Sequence, residues 1–221
     1  MQNFSTSNLP VATQWTLDAA GEVGRSVVPN IFMIVCLDTG SKGSGFLLKN
    51  GYIVTNLHVV NGSHISNILA ISSDKTEIKF SSCSFYEKLD LILLKPSVAL
   101  NGGLDIDLVE EPKIGESVYT WGYPLGYNGP APLFSMGYLS GFIENNQTKH
   151  FVINGAFNNG NSGGALFKYG SDKIIGIVVS KHLPLSNFHR DAITVLGLAV
   201  TSVSKLAVIN PNVRSKLLVL V

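Results

Sequence analysis

Short apolar or alternating segments, each bounded by Gly, Asn, Ser or Asp, recur along most of this sequence. A first set comprises NIFMIVCL, GSGFLLK, GYIVTNL, SNILAIS, TEIKFSSCSFY and LDLILLK, and a second set comprises ESVYTWGYP, LFSMGYLSGFI, HFVINGAF, GGALFKY, KIIGIVVS and ITVLGLAVT. Segments of this length and periodicity are typical of β-strands, and turn residues between them at regular spacing are typical of an all-β protein. The sequence therefore predicts two six-stranded antiparallel β-barrels.

The turn-rich stretch ALNGGLDIDLVEEPKIG separates the two sets of strands and suggests where one barrel ends. We expect an N-terminal segment at 1–25, a first barrel at 26–108, a second barrel at 109–205 and a C-terminal tail at 206–221. Short helices are predicted at both ends of the chain. The first is LDAAGEVGRSV, with Thr16 as its N-cap, and the second is SVSKLAVI.

The charge composition excludes some classes of partner. Charged residues make up 14% of the chain, against roughly a quarter in an average domain, so we expect much of the sequence to be buried. The net charge of +1 supplies no broad cationic field, and we therefore expect neither a nucleic-acid partner nor a membrane surface. The longest apolar run, VVPNIFMIVCL, is interrupted by Pro29 and Asn30 and is shorter than the ~20 residues that cross a bilayer.

The N-terminal residues and the two cysteines bear on the compartment. The start of the chain, MQNFSTSNLPVATQW, has neither the basic leader nor the apolar core of a secretory signal. Cys36 and Cys83 both lie in apolar, strand-like sequence, where a reduced cysteine behaves as a small hydrophobic residue. We expect free thiols in a soluble, cytoplasmic protein.

Three residues in separate segments could together carry out nucleophilic chemistry. Ser162 lies between glycines in GNSGGALF, His58 follows a strand-like run in GYIVTNLHVV, and Asp90 is a charge inside the apolar stretch KLDLILLK. A serine hydroxyl is a weak nucleophile unless a base removes its proton, and the usual base is a histidine oriented by a carboxylate. A carboxylate within a β core also needs a partner, which a histidine N–H would provide.

The chain resembles the chymotrypsin-like serine proteases, and within them the high-temperature-requirement (HtrA/Deg) branch. The segment GSGFLLKNGYIVTNLHVV resembles the segment that ends in the catalytic histidine of that family, LDLILLK resembles its aspartate strand, and GNSGGAL resembles its nucleophile loop. Their order in the chain, His58, Asp90, Ser162, is also that of the family. Weaker similarities occur at GYPLG, GYLSGF, IIGIVV and GLAVTS, so that the resemblance spans most of residues 26–205.

The resemblance implies a serine endopeptidase that uses no cofactor and no metal and acts on protein or peptide substrates. His58 would act as the general base and acid, Asp90 would orient it, and Ser162 would form an acyl-enzyme. The backbone amides of Gly160 and Ser162 would form the oxyanion hole, since glycine allows the turn that aims both amides at one point. The other four histidines have no His or Cys partner at metal-ligand spacing.

The resemblance also implies a substrate-binding region. Ala156 would form the floor of the pocket for the residue before the cleaved bond (P1), and Phe157 and Asn158 would line its wall. A pocket without charge favours small or medium aliphatic side chains over Arg or Lys. The residues expected to pair with the substrate backbone are Val179, Ser180 and Lys181.

Asn161 departs from the digestive members of the family, which have an aspartate in that position that pairs with a new N-terminal ammonium. An asparagine cannot neutralise that charge, so we expect no activation by N-terminal trimming. We expect no PDZ domain in this sequence. HtrA-like relatives often trimerise through N-terminal segments, and a homo-oligomer therefore remains open.

Two alternatives bear on the function. GNSGG also fits the nucleophile elbow of α/β-hydrolases, but that fold follows the serine with a helix and alternates strands with helices throughout. Here GGALFKYGSDKIIGIVV continues as strands, and the acid and histidine that follow the serine, Asp172 and His182, are only ten residues apart. A protease-fold binding or regulatory module without catalysis remains an alternative, because a collapsed oxyanion loop can leave a complete triad idle.

Overall fold

The computed structural model describes residues 9–107, 112–145, 148–179 and 199–202. Within them the chain forms three short helices, α1 (Val11–Ala19), α2 (Gly21–Val27) and α3 (Leu57–Val60). The strands are β1 (Ile31–Cys36), β2 (Lys42–Leu47), β3 (Ile53–Asn56), β4 (Ile68–Ile71), β5 (Glu77–Ile78), β6 (Phe80–Tyr86), β7 (Leu91–Pro96), β8 (Ser117–Gly122), β9 (Leu133–Asn145), β10 (Thr148–Gly155), β11 (Ala165–Lys168), β12 (Ile174–Val179) and β13 (Ala199–Ser202). The predicted all-β class is confirmed.

The first seven strands form one antiparallel sheet in the order β5-β4-β1-β2-β3-β7-β6. Its concave side encloses an apolar core that includes Ile34, Ile53 and Leu94, each fully buried. The strands β3 and β7 are neighbours, with Asn56 opposite Leu91. This register brings the residues that follow β3 next to those that precede β7.

The first sheet has seven strands where six were expected. The segment TEIKFSSCSFY, predicted as one strand, is divided at Lys79 into β5 and β6. Residues before Lys79 pair with β4, while those after it pair with β7. The chain thus changes partners within one extended segment, and the two outer strands of the sheet are consecutive in sequence.

The remaining six strands close into a barrel in the order β10-β13-β12-β11-β8-β9. Its core contains Phe151, Ile153, Phe167 and Leu139, which are at most 1% exposed. The last strand, β13, lies between β10 and β12, with Ala199 opposite both Val152 and Val179. The two sheets together give the chymotrypsin-like double barrel that the sequence predicted.

The N-terminal region differs from the single helix predicted over LDAAGEVGRSV. The structure has two helices, which join at Ala20 and Gly21, where Gly21 has a φ of +68°. Thr16 is not a cap, because it lies inside α1 and its hydroxyl donates to Ala12 O at 2.9 Å. The buried hydroxyl of Thr13 donates instead to Ser73 O at 2.6 Å and ties α1 to the loop after β4.

A cavity of about 660 Å³ lies between this helical pair and the outer surface of the second barrel. Its lining includes Val23 on α2, Trp121 on β8 and Phe134 on β9. None of the residues predicted for catalysis or substrate binding lines it. This cavity is therefore separate from the predicted site.

Several expectations from the sequence fall outside the described residues or are not tested by them. The predicted helix SVSKLAVI lies outside them after Ser202, as does the tail 206–221. The boundaries at 25, 108 and 205 remain predictions. Both cysteines are free thiols, with Cys36 buried and Cys83 exposed. Within 9–107, 112–145, 148–179 and 199–202, no helix has the length and apolar character needed to span a membrane.

Candidate active site

His58 and Asp90 form a two-point contact at the edge of the first sheet. His58 Nδ1 lies 2.6 Å from Asp90 Oδ2, and the His58 backbone N–H donates to Asp90 Oδ1 at 2.9 Å. Because an ionised carboxylate only accepts hydrogen bonds, Nδ1 carries the proton and Nε2 of the neutral ring keeps its lone pair. The imidazole is 40% exposed and the carboxylate 15% exposed. The ring is thus held in the tautomer of a base and is partly exposed.

The backbone around Asp90 holds this contact in place. Asp90 adopts a left-handed conformation (φ 52°, ψ 45°), which costs most residues about 1–2 kcal/mol but is tolerated by Asp and Asn. Its carbonyl accepts from Leu57 N and from Asn56 Nδ2, both at 3.0 Å. These bonds join the end of the 3-10 turn before β7 to the junction of β3 and α3. The carboxylate therefore has a fixed position relative to the histidine helix.

The backbone carbonyl of Val59, the residue after His58, accepts two side-chain hydrogen bonds. Val59 O accepts from the Ser41 hydroxyl at 2.7 Å and from the Cys36 thiol at 3.6 Å. Burial is the main reason that the pKa of the Cys36 thiol is raised, so this sulfur stays protonated and able to donate. Residues of β1 and of the following turn thus help to fix α3.

Asp38 organises the loop after α3. Its carboxylate accepts from the Ser63 hydroxyl, from Asn67 Nδ2 at 3.0 Å and from His64 N at 3.0 Å. These donors, that of Ser63 foremost, hold the pKa of the Asp38 carboxyl well below its usual value. The turn between β1 and β2 is thereby connected to the chain that leaves the histidine helix.

Ser162 lies in the turn between β10 and β11 and is 5% exposed. The turn is closed by donation from Asn161 N to Asn158 O at 3.0 Å and from Gly164 N to Asn161 O at 2.9 Å. The amide of Gly163 donates to Val178 O at 2.9 Å, which attaches the turn to β12. The second barrel therefore positions the serine by main-chain bonds.

The serine turn lies directly against the first sheet. Ser162 O accepts from Ser44 N in β2 at 2.8 Å. A Cβ on Gly43 would lie 3.1 Å from Ser162 O and 2.7 Å from a methyl of Val59, the residue after His58. Gly163, with a φ of +84°, packs so closely on Asn56 that a Cβ there would lie 3.0 Å from Asn56 N, at the start of α3. Segments far apart in sequence therefore converge.

Gly160 has a conformation and a packing environment that only glycine fits. Its φ is +93°, and a Cβ would lie 2.5 Å from both Tyr123 O and Leu125 N. Leu125 N donates to Asn159 O at 2.6 Å. The hydroxyl of Ser44 donates to Gly160 O at 2.7 Å and accepts from Tyr123 N at 2.9 Å. The turn that carries the predicted oxyanion donors is thus supported by the loop after β8 and by β2.

Asn161, the residue that differs from the digestive enzymes, is completely buried. Among the described residues, neither polar atom of its side-chain amide has a hydrogen-bond partner. A Cβ on Gly122 would lie 2.7 Å from Asn161 Oδ1, so the amide fills the space beside the end of β8. A buried amide without partners costs about 1–3 kcal/mol. The sequence shows that Asn161 is uncharged, but it did not predict that the side chain is buried.

The predicted substrate-binding residues have different environments. Ala156 and Asn158 are exposed, whereas Phe157 is 7% exposed and its side chain belongs to the core of the second barrel. Val179 ends β12 and is 1% exposed. Ser180 and Lys181 lie outside the described residues, so the predicted pairing with substrate stays a prediction.

Sequence reasoning missed Ser44, which connects the two halves of the site. It is fully buried, and besides its bonds to the serine turn its carbonyl accepts from the Thr55 hydroxyl at 2.7 Å. A signal was present in the pattern Gly-Ser-Gly inside a strand, since glycine within a strand often marks the close approach of another backbone. Within the described ranges, no group of three or more His, Cys, Asp or Glu side chains could hold a metal ion.

Comparisons with known proteins agree with this architecture. A family model described as a trypsin-like peptidase domain matches residues 43–177, which include His58, Asp90 and Ser162. No curated protein sequence matches the chain.

Solved structures resemble the chain over nearly its whole length. A serine-to-alanine variant of Rv3671c from M. tuberculosis H37Rv, in its inactive form, is 20% identical with a TM-score of 0.68, over 95% of this chain and 96% of that one. The active form of the Rv3671c protease is 21% identical with a TM-score of 0.68, over 94% and 91%. A serine endoprotease from Yersinia pestis is 23% identical with a TM-score of 0.67, over 95% and 67%. The TM-scores show a common fold, and at identities this low the similarity shows the fold alone.

Proposed function

Because the chain belongs to the trypsin-like peptidase family, we propose that it is a serine endopeptidase with His58, Asp90 and Ser162 as its catalytic triad. The observation that carries the proposal is the two-point contact between His58 and Asp90, with 2.6 Å between Nδ1 and Oδ2. The serine turn lies against the same edge of the first sheet, through the contact of Ser162 O with β2. The reaction is hydrolysis of a peptide bond in a protein or peptide substrate.

In the proposed mechanism, Ser162 Oγ attacks the carbonyl carbon of the substrate while His58 Nε2 takes the hydroxyl proton. The C–N bond of the tetrahedral intermediate then breaks, and the same proton passes from Nε2 to the leaving amine. Water next attacks the acyl-enzyme, again with its proton going to Nε2. The proton returns to Ser162 as the new carboxylic acid leaves, and the acid then ionises in solution.

Asp90 has two parts in this cycle. Its Oδ2 holds the Nδ1 proton and stabilises the imidazolium that forms in each step. Its Oδ1 accepts from the backbone of the same histidine, so the carboxylate cannot rotate without breaking a second bond. The ring therefore needs no reorientation between acylation and deacylation.

The amides of Gly160 and Ser162 are the proposed oxyanion donors. Other amides of this turn, those of Asn161, Gly163 and Gly164, donate to protein carbonyls and so cannot serve a substrate oxygen. Fixed donors at the developing negative charge commonly contribute about 2.7–4 kcal/mol each to transition-state stabilisation. The support of Gly160 by the loop after β8 favours such a fixed arrangement.

We further propose that the enzyme prefers small or medium aliphatic P1 residues. None of residues 156–158 carries a charge that could pair with Arg or Lys. Digestion of a proteome-derived peptide library, followed by mass spectrometry, will give the preferred residue before the cut. Frequent cleavage after Arg or Lys would contradict this preference.

The decisive experiment combines active-site labelling with one substitution. A fluorophosphonate probe should label the wild type and should not label Ser162→Ala. A folded wild type that is not labelled would instead support the alternative, a protease-fold binding module without catalysis.

Asp90→Asn tests the role of the carboxylate separately. Asparagine tolerates the left-handed backbone and its Oδ1 can still accept from His58 N. Its NH₂ group, however, can only donate to Nδ1, which forces the proton onto Nε2 and removes the base. We expect kcat to fall about 10⁴-fold with the free energy of unfolding little changed. A small loss of kcat would refute the assignment.

A further inference from the structure

Lys42, at the start of β2, connects the first sheet to a loop of the second barrel. Its ammonium donates to Tyr127 O and, at 3.3 Å, to Asn128 Oδ1, both in the loop between β8 and β9. The side chain is half-buried, and loss of solvation lowers the pKa of Lys42. A partly desolvated ammonium needs acceptors, and a hydrogen bond from a charged donor is roughly twice as strong as a neutral one. This contact therefore constrains the loop more than an exposed lysine would.

The loop that Lys42 contacts is the one that supports the oxyanion turn. Tyr127 N donates to Pro124 O at 3.0 Å, which closes a tight turn that links the Lys42 contact to residues 124 and 125. Leu125 N in turn donates to Asn159 O at 2.6 Å. The closest approaches that a Cβ on Gly160 would make are to Tyr123 O, Leu125 N and Pro124 C, at 2.5 to 2.8 Å. A shift of this loop would therefore move the peptide that carries a proposed oxyanion donor.

The strand that carries Lys42 is also the one that aligns the rest of the site. Gly43 packs on Val59, next to His58, and Ser44 N donates to Ser162 O. A contact from this strand to the loop after β8 therefore helps to fix the position of the oxyanion turn relative to the histidine and the serine. Like the bonds of Ser44, the Lys42 contact joins the first sheet to the second barrel.

We propose that Lys42 is a positioning residue for the oxyanion turn, acting through the loop between β8 and β9. The inference rests on the proposed function, because it assigns a part in catalysis to a residue that touches neither substrate nor triad. Without the ammonium, the Ser44 hydroxyl still holds Gly160 O, so the protein keeps its fold while the loop loses one restraint. The expected effect is on the transition state, where the oxyanion forms, and not on substrate binding.

The test is Lys42→Met, which keeps the length and apolar stem of the side chain but removes the donor. We expect kcat for a peptide substrate to fall about 10-fold, less than the 10²–10³-fold that follows complete loss of an oxyanion donor, with KM changed less than about twofold. Lys42→Arg, which restores a charged donor, should recover most of the lost kcat. Lys49→Met is the matched control, since Lys49 makes an exposed ion pair with Asp105 and should keep wild-type kcat.

Hydrogen exchange gives a readout that does not require activity. The amide of Leu125, which donates to Asn159 O, should exchange faster in Lys42→Met than in the wild type and in Lys49→Met. Unchanged exchange together with unchanged kcat would overturn the proposal, as would a loss of kcat that Lys42→Arg fails to recover. If Lys42→Met does not purify as a folded protein, Lys42→Leu, which also lacks a donor, provides the same comparison.

These outcomes are separable from failure of the proposed function. If the wild type neither hydrolyses peptides nor reacts with the fluorophosphonate probe, the function is refuted. Faster exchange of the Leu125 amide in Lys42→Met would then still support the role of Lys42 in holding the loop, and unchanged exchange would refute it.

Discussion

Substitution of Gly160 by alanine tests the proposed oxyanion turn most directly. Two costs follow from the structure. A φ of +93° lies in the left-handed region, where alanine costs about 1–2 kcal/mol. In addition, the new Cβ would lie 2.5 Å from Tyr123 O and Leu125 N, well inside ordinary contact distance, so the Gly160 peptide must shift. A shifted amide no longer points at the substrate oxygen.

The expected loss in kcat/KM is that of one oxyanion donor, about 10²–10³-fold, or roughly 2.7–4 kcal/mol of transition-state stabilisation. Gly115→Ala is the matched control, because Gly115 has nearly the same φ, +88°, but nothing within 4 Å of a Cβ. It should share the backbone cost and keep wild-type kcat/KM. The measurements are steady-state hydrolysis of a peptide and urea unfolding of both variants. Wild-type activity in Gly160→Ala, or an equal loss in Gly115→Ala, would refute the reasoning.

Two further predictions concern titrating groups. Since the folded pKa of Asp38 is depressed, its carboxylate stabilises the native state at neutral pH and loses that effect as pH falls below about 4. Asp38→Asn should therefore show a smaller loss of unfolding free energy between neutral and acidic pH than the wild type or the control Asp105→Asn, and an identical loss would contradict this. Iodoacetamide at about pH 8 should modify exposed Cys83 in the native protein and Cys36 only after unfolding, as read by mass spectrometry, because burial raises the pKa of the Cys36 thiol; equal rates would count against it.

The positions of His58, Asp90 and Ser162 could be predicted because each lies in a local pattern that specifies its own element. The strands next to them are short apolar runs that are buried on both faces, and the glycines around Ser162 mark a tight turn. The meeting of β3 with β7, which brings Asp90 to His58, follows from the order of strands in a known fold and from no local pattern.

The contacts made by Lys42, Ser44 and Asp38 could not be predicted in the same way. Each joins residues that are distant in sequence, and a polar side chain at a strand end looks the same whether it meets water or another loop. The prediction of a single N-terminal helix was wrong for a different reason. Gly21 interrupts the helical pattern, but the sequence does not show whether the chain continues as a second helix after it.

The acid-base pair and the proposed nucleophile come from different halves of the chain, joined through β2. A ribosome releases residues 31–96, with His58 and Asp90, before it has made the turn that carries Ser162. An unfinished polypeptide thus holds a base with nothing to activate. In the proposed mechanism, cleavage therefore begins only when the second barrel docks, which would protect the nascent chain and its neighbours from premature digestion.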